Sequence, residues 1–266
     1  MPFQKLFSTL LAVTTLFIPL QLRAEIIEIS HFEALKAHIQ EKGTLCLVDI
    51  DDTCLIPCQT LGTDVWFLDR WSHYEKTGLS KKEALEKALG EWEAIRHLTQ
   101  VKIVEEGTSQ IIKDLQKQGV VMMGLTTQGL ALATRTQLQL ASLEIDLSQT
   151  APYATQDYYF TNGHGVLYRH GILFTSGTPK GPALEKLLNL MQLRPSKIVF
   201  INDKKTHLQD IERSLEKMGI PFVGLRYGYS DKRTESYNPE IAKIQFEQSS
   251  FAHILSDQEA ETLLSR

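Results

Sequence analysis

With 266 residues, 42% of them hydrophobic and 23% charged, the chain can bury a sizeable core, which excludes a disordered segment and a multi-span membrane protein. Its net charge of −4, without any extended run of lysine or arginine, argues against a nucleic-acid or anionic-membrane surface. One domain carrying an insertion is the natural size class.

The first residues differ from the rest. Lys5 precedes an uncharged stretch from Leu6 to Leu22, broken by Pro19 and followed by the small residue Ala24. This is the layout of a secretory signal peptide over residues 1–24, cleaved near Ala24, and it predicts a periplasmic or secreted product. The alternatives are an uncleaved membrane anchor or a buried helix. The stretch is short for a span of about 20 apolar residues, and Ser8, Thr9, Thr14 and Thr15 weaken it further, so no stable span is expected after cleavage.

Next, Ser30 is placed to cap a helix over about 31–42, with Phe32, Leu35 and Ile39 on one side and Gly43 ending it. The unbroken apolar run Thr44-Leu45-Cys46-Leu47-Val48 predicts a buried parallel strand. It runs out at Asp49-Ile50-Asp51-Asp52-Thr53, and carboxylates at the carboxyl end of such a strand sit where open α/β sheets bind ligands. Crowded negative charge is costly unless a cation joins it, so a metal-assisted reaction is the first hypothesis. Of the three cysteines, Cys46 should lie buried in the strand, and Cys54–Cys58 is the plausible local pair in an exported protein.

Residues 59–102 read as helices. One is centred on Trp66–Tyr74, and another starts at the Ser80 cap with Glu83 as its capping-box partner and runs to about Arg96. A helix over 106–118, stopped by Gly119, leads to a second apolar strand over 120–125 that ends at Thr126-Thr127-Gln128-Gly129. After a helix over 130–143, short apolar pieces over 158–174 with Asn162-Gly163 and His170-Gly171 between them predict one or two β-hairpins. Pro179-Lys180-Gly181 opens a helix to about Met191. A third strand over 197–201 ends at Asn202-Asp203, a helix over 205–218 stops at Gly219, and a fourth strand covers 221–226. Repeated strand-then-helix units imply a mostly parallel sheet with right-handed crossovers.

In such a sheet the strand ends share one rim. Asp49, Asp51, Thr126 and Asp203 therefore gather there with Lys180: two carboxylates to hold a divalent cation, a hydroxyl to donate, an ammonium to neutralise. Those are the parts of a phosphoryl-transfer site. An EF-hand fits worse, since Cys54 stands where its loop needs glycine and Thr60 where it needs glutamate. A metal-dependent sugar transferase would not require Lys180 or Asp203, and a phospho-acceptor receiver domain fits neither export nor the long first insert. The bland alternative is turn aspartates capping a loop.

From Thr44 to Arg226 the chain resembles the haloacid dehalogenase-like hydrolases, within them most closely uncharacterised secreted bacterial members. The superfamily's four motifs occur in order as Asp49-Ile50-Asp51-Asp52-Thr53, Thr126, Lys180 and Asn202-Asp203. The resemblance implies a Rossmann-like three-layer core over 25–58 and 104–266. It also implies a mainly helical cap inserted over 59–103 and a β-hairpin insertion at about 157–175. It further implies a Mg²⁺-dependent phosphatase acting on small phosphate monoesters through an aspartyl-phosphate. Asp49 would be the nucleophile and Asp51 the acid and base. Thr126 would hold a phosphoryl oxygen, with Thr127 as its competitor, and Lys180 would balance charge. The Asp49 carboxylate, the Asp51 carbonyl and Asp203 would bind Mg²⁺. Two departures stand out: Asn202 replaces a frequent acidic residue, and His207 lies where Asn or Asp commonly follows. They motivate a rival reading, a secreted binding protein of this fold with little turnover. A phosphotransferase would use the same residues.

Trp66, Trp71 and Trp92 all fall in the helical insert, as its core or as a surface closing over substrate with Arg70, Tyr74 or Arg96. Tyr227 and Tyr229 follow the fourth strand on the functional rim and are substrate-contact candidates. His164 and His170 read as turn residues, and Asp231-Lys232-Arg233 as a solvated loop.

Overall fold

The computed structural model describes residues 24–250 and 253–265. Of the leader expected over 1–24, residues 1–23 lie outside the described residues and Ala24 begins β1. In chain order the elements begin with β1 (Ala24–Ile29), β2 (Thr44–Val48), β3 (Leu55–Pro57), α1 (Asp64–Lys76), α2 (Lys81–Leu98) and β4 (Val101–Ile103). There follow α3 (Thr108–Lys117), β5 (Val121–Thr126), α4 (Ala133–Ser142), β6 (Tyr158–Asn162), β7 (His164–Arg169), β8 (Ile172–Phe174) and α5 (Lys180–Leu190). The chain closes with β9 (Lys197–Asn202), α6 (Lys205–Met218), β10 (Phe222–Tyr227), α7 (Asp231–Glu235), α8 (Pro239–Gln248) and α9 (Asp257–Leu264).

Eight strands form one sheet in the order β1-β10-β9-β2-β5-β8-β7-β6. All neighbours from β1 to β8 in that order are parallel, and β7 and β6 extend the sheet antiparallel. The alternating side chains of β2 explain the layering. Cys46 and Val48 face a cluster built with Phe32 and Leu35, with Ile112 and Leu115 of α3 and with Leu140 of α4. Leu45 and Leu47 face Leu184, Leu187 and Leu188 of α5 and Leu208, Ile211 and Leu215 of α6. The result is a three-layer α/β Rossmann-like fold. Its central strand is covered on both faces, which is why β2 reads as a continuous apolar run.

Two features differ from the sequence expectation. No helix covers 31–42: a 3₁₀ turn over Phe32–Ala37 follows the parallel edge strand β1. Phe32 and Leu35 are three apart, a spacing that serves a 3₁₀ turn as well as an α-helix. The Phe32 N–H donates to Glu105 Oε2 (2.8 Å), a tertiary partner in the role expected of Ser30. The second feature is a short antiparallel ladder, β3 with β4, that forms a neck beneath the α1–α2 hairpin. Its three-residue strands are too brief to show a periodicity.

The hairpin itself follows local rules. Thr63 Oγ1 caps α1, and Ser80 with Glu83 makes both halves of a capping box on α2. Trp66 and Trp92 are buried with Leu61, Leu132 and Ala242, and Trp66 lies 5.7 Å from Phe246 of α8. The tail thus packs on the hairpin, and it also holds the neck: Asp257 Oδ1 accepts from Thr60 N–H (2.9 Å) and Gln245 Oε1 from Leu61 N–H (2.9 Å). Arg233 is part of this arrangement, donating to the Pro57 carbonyl from the short helix α7 where the sequence suggests a solvated loop.

Candidate active site at the carboxyl rim of the sheet

At the end of β2 the backbone turns sharply. The Ile50 carbonyl accepts from Cys54 N–H (2.9 Å) and Leu55 N–H (3.0 Å), and Asp52 adopts a left-handed φ of 56°, which a short polar side chain tolerates. Ile50 is buried in the core, so the period of two turns Asp49 and Asp51 away from it to the rim.

Asp49 and Lys180 meet there, 131 residues apart in sequence. Lys180 Nζ donates to Asp49 Oδ1 at 2.6 Å, with both side chains buried. Lys180 reaches in from the first turn of α5, whose position depends on the residue after it. The Gly181 N–H donates to Asp210 Oδ2 of α6 (2.7 Å), and a Cβ at Gly181 would stand 2.4 Å from the Asp210 carbonyl oxygen. Only glycine lets α5 and α6 cross this closely.

Asp51 is held from two directions. Gln128 Nε2 donates to its Oδ2 (2.7 Å), and Arg96 Nη2 of α2 lies 2.7 Å from its Oδ1 as a charge contact without hydrogen-bond alignment. Burial raises the Asp51 pKa, against the pull of the Arg96 guanidinium. Thr126 sits buried at the end of β5, and its hydroxyl oxygen accepts from Gln128 N–H (3.1 Å), which leaves its own proton free to donate.

Asp203 follows β9 and faces Asp49, Asp52, Asp64 and Lys204. Burial pushes its pKa well above the carboxylate range. Its Oδ1 is buried with no hydrogen-bond partner among the described residues. Asp64, the first residue of α1, pairs with Lys204. Burial would raise Asp64, but the Lys204 ammonium more than offsets it and the pKa is lowered. Asp52 is pushed up to about 7, chiefly by burial and then by Asp64. His207 is held down to about 2 by burial and by Lys180 and Lys204, and so is neutral.

An unbonded, buried carboxylate oxygen beside a second carboxylate suits a hard divalent cation. Among the described residues no three His, Cys, Asp or Glu side chains gather to hold a metal ion. Two carboxylates and a backbone carbonyl form a smaller set, and Mg²⁺ is commonly bound through one or two carboxylates with several waters. Asp49, Asp203 and the Asp51 carbonyl therefore fit it.

Several expectations are corrected or extended by the fold. Tyr227 is fully buried in the core, its hydroxyl donating to Glu105 Oε2 (2.6 Å), and Tyr229 stacks on it and abuts His31; both lie with the β1 edge. The tryptophans behave as core, with Trp66 and Trp92 buried. Cys46, Cys54 and Cys58 are all free thiols, with Cys54 buried and Cys58 exposed. Gln128, Lys204 and Asp64 join the site unannounced. Gln128 stands in the polar run after β5 and Lys204 directly follows Asp203, so each had a positional signal, whereas Asp64 had none beyond opening a helix.

Residues 28–261 match the family described as a protein of unknown function, DUF2608. Two Chlamydia pneumoniae proteins, both provisionally named as outer membrane proteins, are similar. One is 29% identical over 255 residues, covering 92% of this chain and 91% of that one; the other is 28% identical over 224 residues, covering 84% and 83%. An uncharacterised Rickettsia prowazekii protein is 22% identical over 238 residues, 85% of each chain. Solved structures align loosely. A provisionally titled haloacid dehalogenase-like hydrolase from Bacteroides fragilis has a TM-score of 0.44 at 12% identity, covering 73% of this chain and 92% of that one. A phospho-aspartyl intermediate analogue of phosphoserine phosphatase has 0.35 at 13%, covering 74% and 100%. Since the family match runs from within β1 to within α9, the chain belongs to the family described as a protein of unknown function, DUF2608.

Proposed function

We propose that this protein is an exported Mg²⁺-dependent phosphatase that hydrolyses small phosphate monoesters through an aspartyl-phosphate on Asp49. The observation that carries this reading is the buried Asp49–Lys180 pair at 2.6 Å, beside the unbonded Asp203 oxygen. The leader layout, and the outer-membrane names of the chlamydial relatives, support export. No described helix is long and apolar enough to cross a membrane. The α1–α2 hairpin, within 59–103, serves as the cap, inserted into a core of 25–58 and 104–266.

Each residue has a defined task. The Asp49 carboxylate attacks phosphorus as the bond to the leaving oxygen breaks, and Asp51 gives that oxygen a proton. Asp51 then takes a proton from the water that attacks the phosphoryl group. The Asp49–phosphorus bond breaks and inorganic phosphate leaves. Lys180 balances the Asp49 charge, Thr126 donates to a phosphoryl oxygen, and Gln128 orients Asp51. Mg²⁺, held by Asp49, Asp203 and the Asp51 carbonyl, would neutralise charge on the phosphoryl oxygens.

Phosphate release from an aryl phosphate, with and without Mg²⁺, tests the reading. The chain lacking its leader should turn the ester over only with Mg²⁺, and Asp49→Asn should lower turnover by at least about a thousandfold while the circular dichroism persists. An Asp49→Asn protein as active as the parent would sink the assignment.

A further inference from the structure

Three arginines show what a guanidinium does in this fold. Arg70 of α1 grips Glu91 with the fork formed by Nε and Nη2, at 2.8 and 3.3 Å. Arg169 closes the same two nitrogens on a single oxygen, Asp157 Oδ2, at 2.9 and 2.5 Å. Arg96 does not. Its side chain is 2% exposed, yet Nε and Nη2 make no hydrogen bond among the described residues. Its Nη2 has the unaligned charge contact to Asp51, and its guanidinium carbon lies 5.4 Å from the Trp92 ring. Nε and Nη2 form the edge that takes a carboxylate or phosphate in two parallel bonds. A buried guanidinium edge without hydrogen bonds is costly to keep even beside the Asp51 charge, and Asp64, a second nearby carboxylate, is already committed to Lys204.

Position identifies what the fork can reach. In the phosphatase reading, on which this inference rests, Asp51 protonates the leaving oxygen and must lie within hydrogen-bond distance of it. A group 2.7 Å from Asp51 therefore sits beside the leaving group. The helix that carries it, α2, belongs to the hairpin over the rim. We infer that Arg96 is the specificity-determining residue of the site and that its Nε–Nη2 fork binds a second oxyanion on the substrate. The substrate class is then a small phosphomonoester whose leaving group carries a carboxylate or another phosphate. If Arg96 gripped the transferring phosphoryl group instead, every ester would depend on it equally.

The test compares phenyl phosphate with 4-carboxyphenyl phosphate and with 1,4-phenylene bisphosphate, so that the two added-anion arms separate carboxylate from phosphate. Binding of the matched phosphonates, phenylphosphonate and 4-phosphonobenzoate, is followed by calorimetry in parallel. The parent protein should prefer an anion-bearing ester by about tenfold or more in kcat/KM, the equivalent of about 1.4 kcal/mol, with the gain in KM. Arg96→Met should erase that preference in kinetics and binding alike. Arg96→Lys, which keeps the charge without the fork, should retain part of it and decides the matter if Arg96→Met does not fold. Equal use of all three esters by the parent protein, or a preference unchanged in the variants, would overturn the inference and leave the phosphatase reading standing. Arg96-dependent binding of 4-phosphonobenzoate without turnover of any ester would support the subsite while removing the phosphatase. Neither turnover nor phosphonate binding would overturn both.

Discussion

The two apolar layers and the charged rim bury their groups on opposite terms. Leu47, Leu184, Phe200 and Ile211 are fully buried among side chains of their own kind. At the rim, a few residues beyond the same strands, the Oδ1 of Asp203, the Nδ2 of Asn202, the Nδ1 of His207 and the Nε of Arg96 are buried with no hydrogen bond among the described residues. Native interiors rarely leave such groups unmet, and in the phosphatase reading a bound ligand would meet those at the rim. The difference teaches that the layers hold the fold against a rim that opposes it.

Substitutions on either side can break or sharpen that contrast. The largest effect is expected in the layers: Phe200→Ala, in the cluster beneath Lys180, should cost about 3–5 kcal/mol in denaturant unfolding. A cost under about 1 kcal/mol would mean the layers are not what holds the sheet. Gly181→Ala, at the junction of layer and rim, should cost about 1–3 kcal/mol, because its Cβ must displace the Asp210 backbone. Turnover should fall with it, and unchanged melting and rate would show that α5 and α6 need not approach so closely.

The rim should respond with the opposite sign. Asp203→Asn replaces a carboxyl whose charged form burial disfavours and whose Oδ1 has no hydrogen bond, so the Mg²⁺-free protein should gain about 1–2 kcal/mol of stability. The same variant should lose the rise in melting temperature that Mg²⁺ gives the parent. A destabilised variant that still responds to Mg²⁺ would remove Asp203 from the site. The smallest effect lies at the β1 edge. Burial raises the Glu105 pKa, but bonds from the Tyr227 hydroxyl, the Phe32 N–H and His31 outweigh it, and the net shift is downward from 4.5. A lowered carboxyl stabilises the fold fully above its unfolded value and ceases to as pH falls through the folded one. Glu105→Gln should therefore cost about 0.5–1 kcal/mol at pH 7, screened by its partial exposure, and nothing once pH is well below 4.5. A difference that persists in acid would mean the carboxylate charge is not its source.

Legibility followed the same division. The apolar runs at β2, β5 and β9, the capping box at Ser80 and Glu83 and the stop at Gly219 were readable because each is a local pattern within one element. The edge strand β1 was not, since its half-exposed residues abut the leader stretch and its pairing with β10 spans almost the whole chain. The tail helices were missed for a related reason. Their partners, Trp66 and the backbone of Thr60 and Leu61, lie about 180 residues earlier, and no spacing encodes that docking.

For the site, order in the sequence was sufficient to nominate Asp49, Asp51, Thr126, Lys180 and Asp203, because parallel strands bring their carboxyl ends to one rim whatever the loops between them do. What the chain determined by itself was therefore the alternation of strands and helices and the carboxylates at their ends. Tertiary structure alone decided that Arg96 descends from α2 onto Asp51, that Gln128 holds the other oxygen, and that Lys204 binds Asp64. Periodicity assigns a face to a residue within its own element, whereas convergence of charges from separate elements depends on strand order and helix placement, which no local pattern carries.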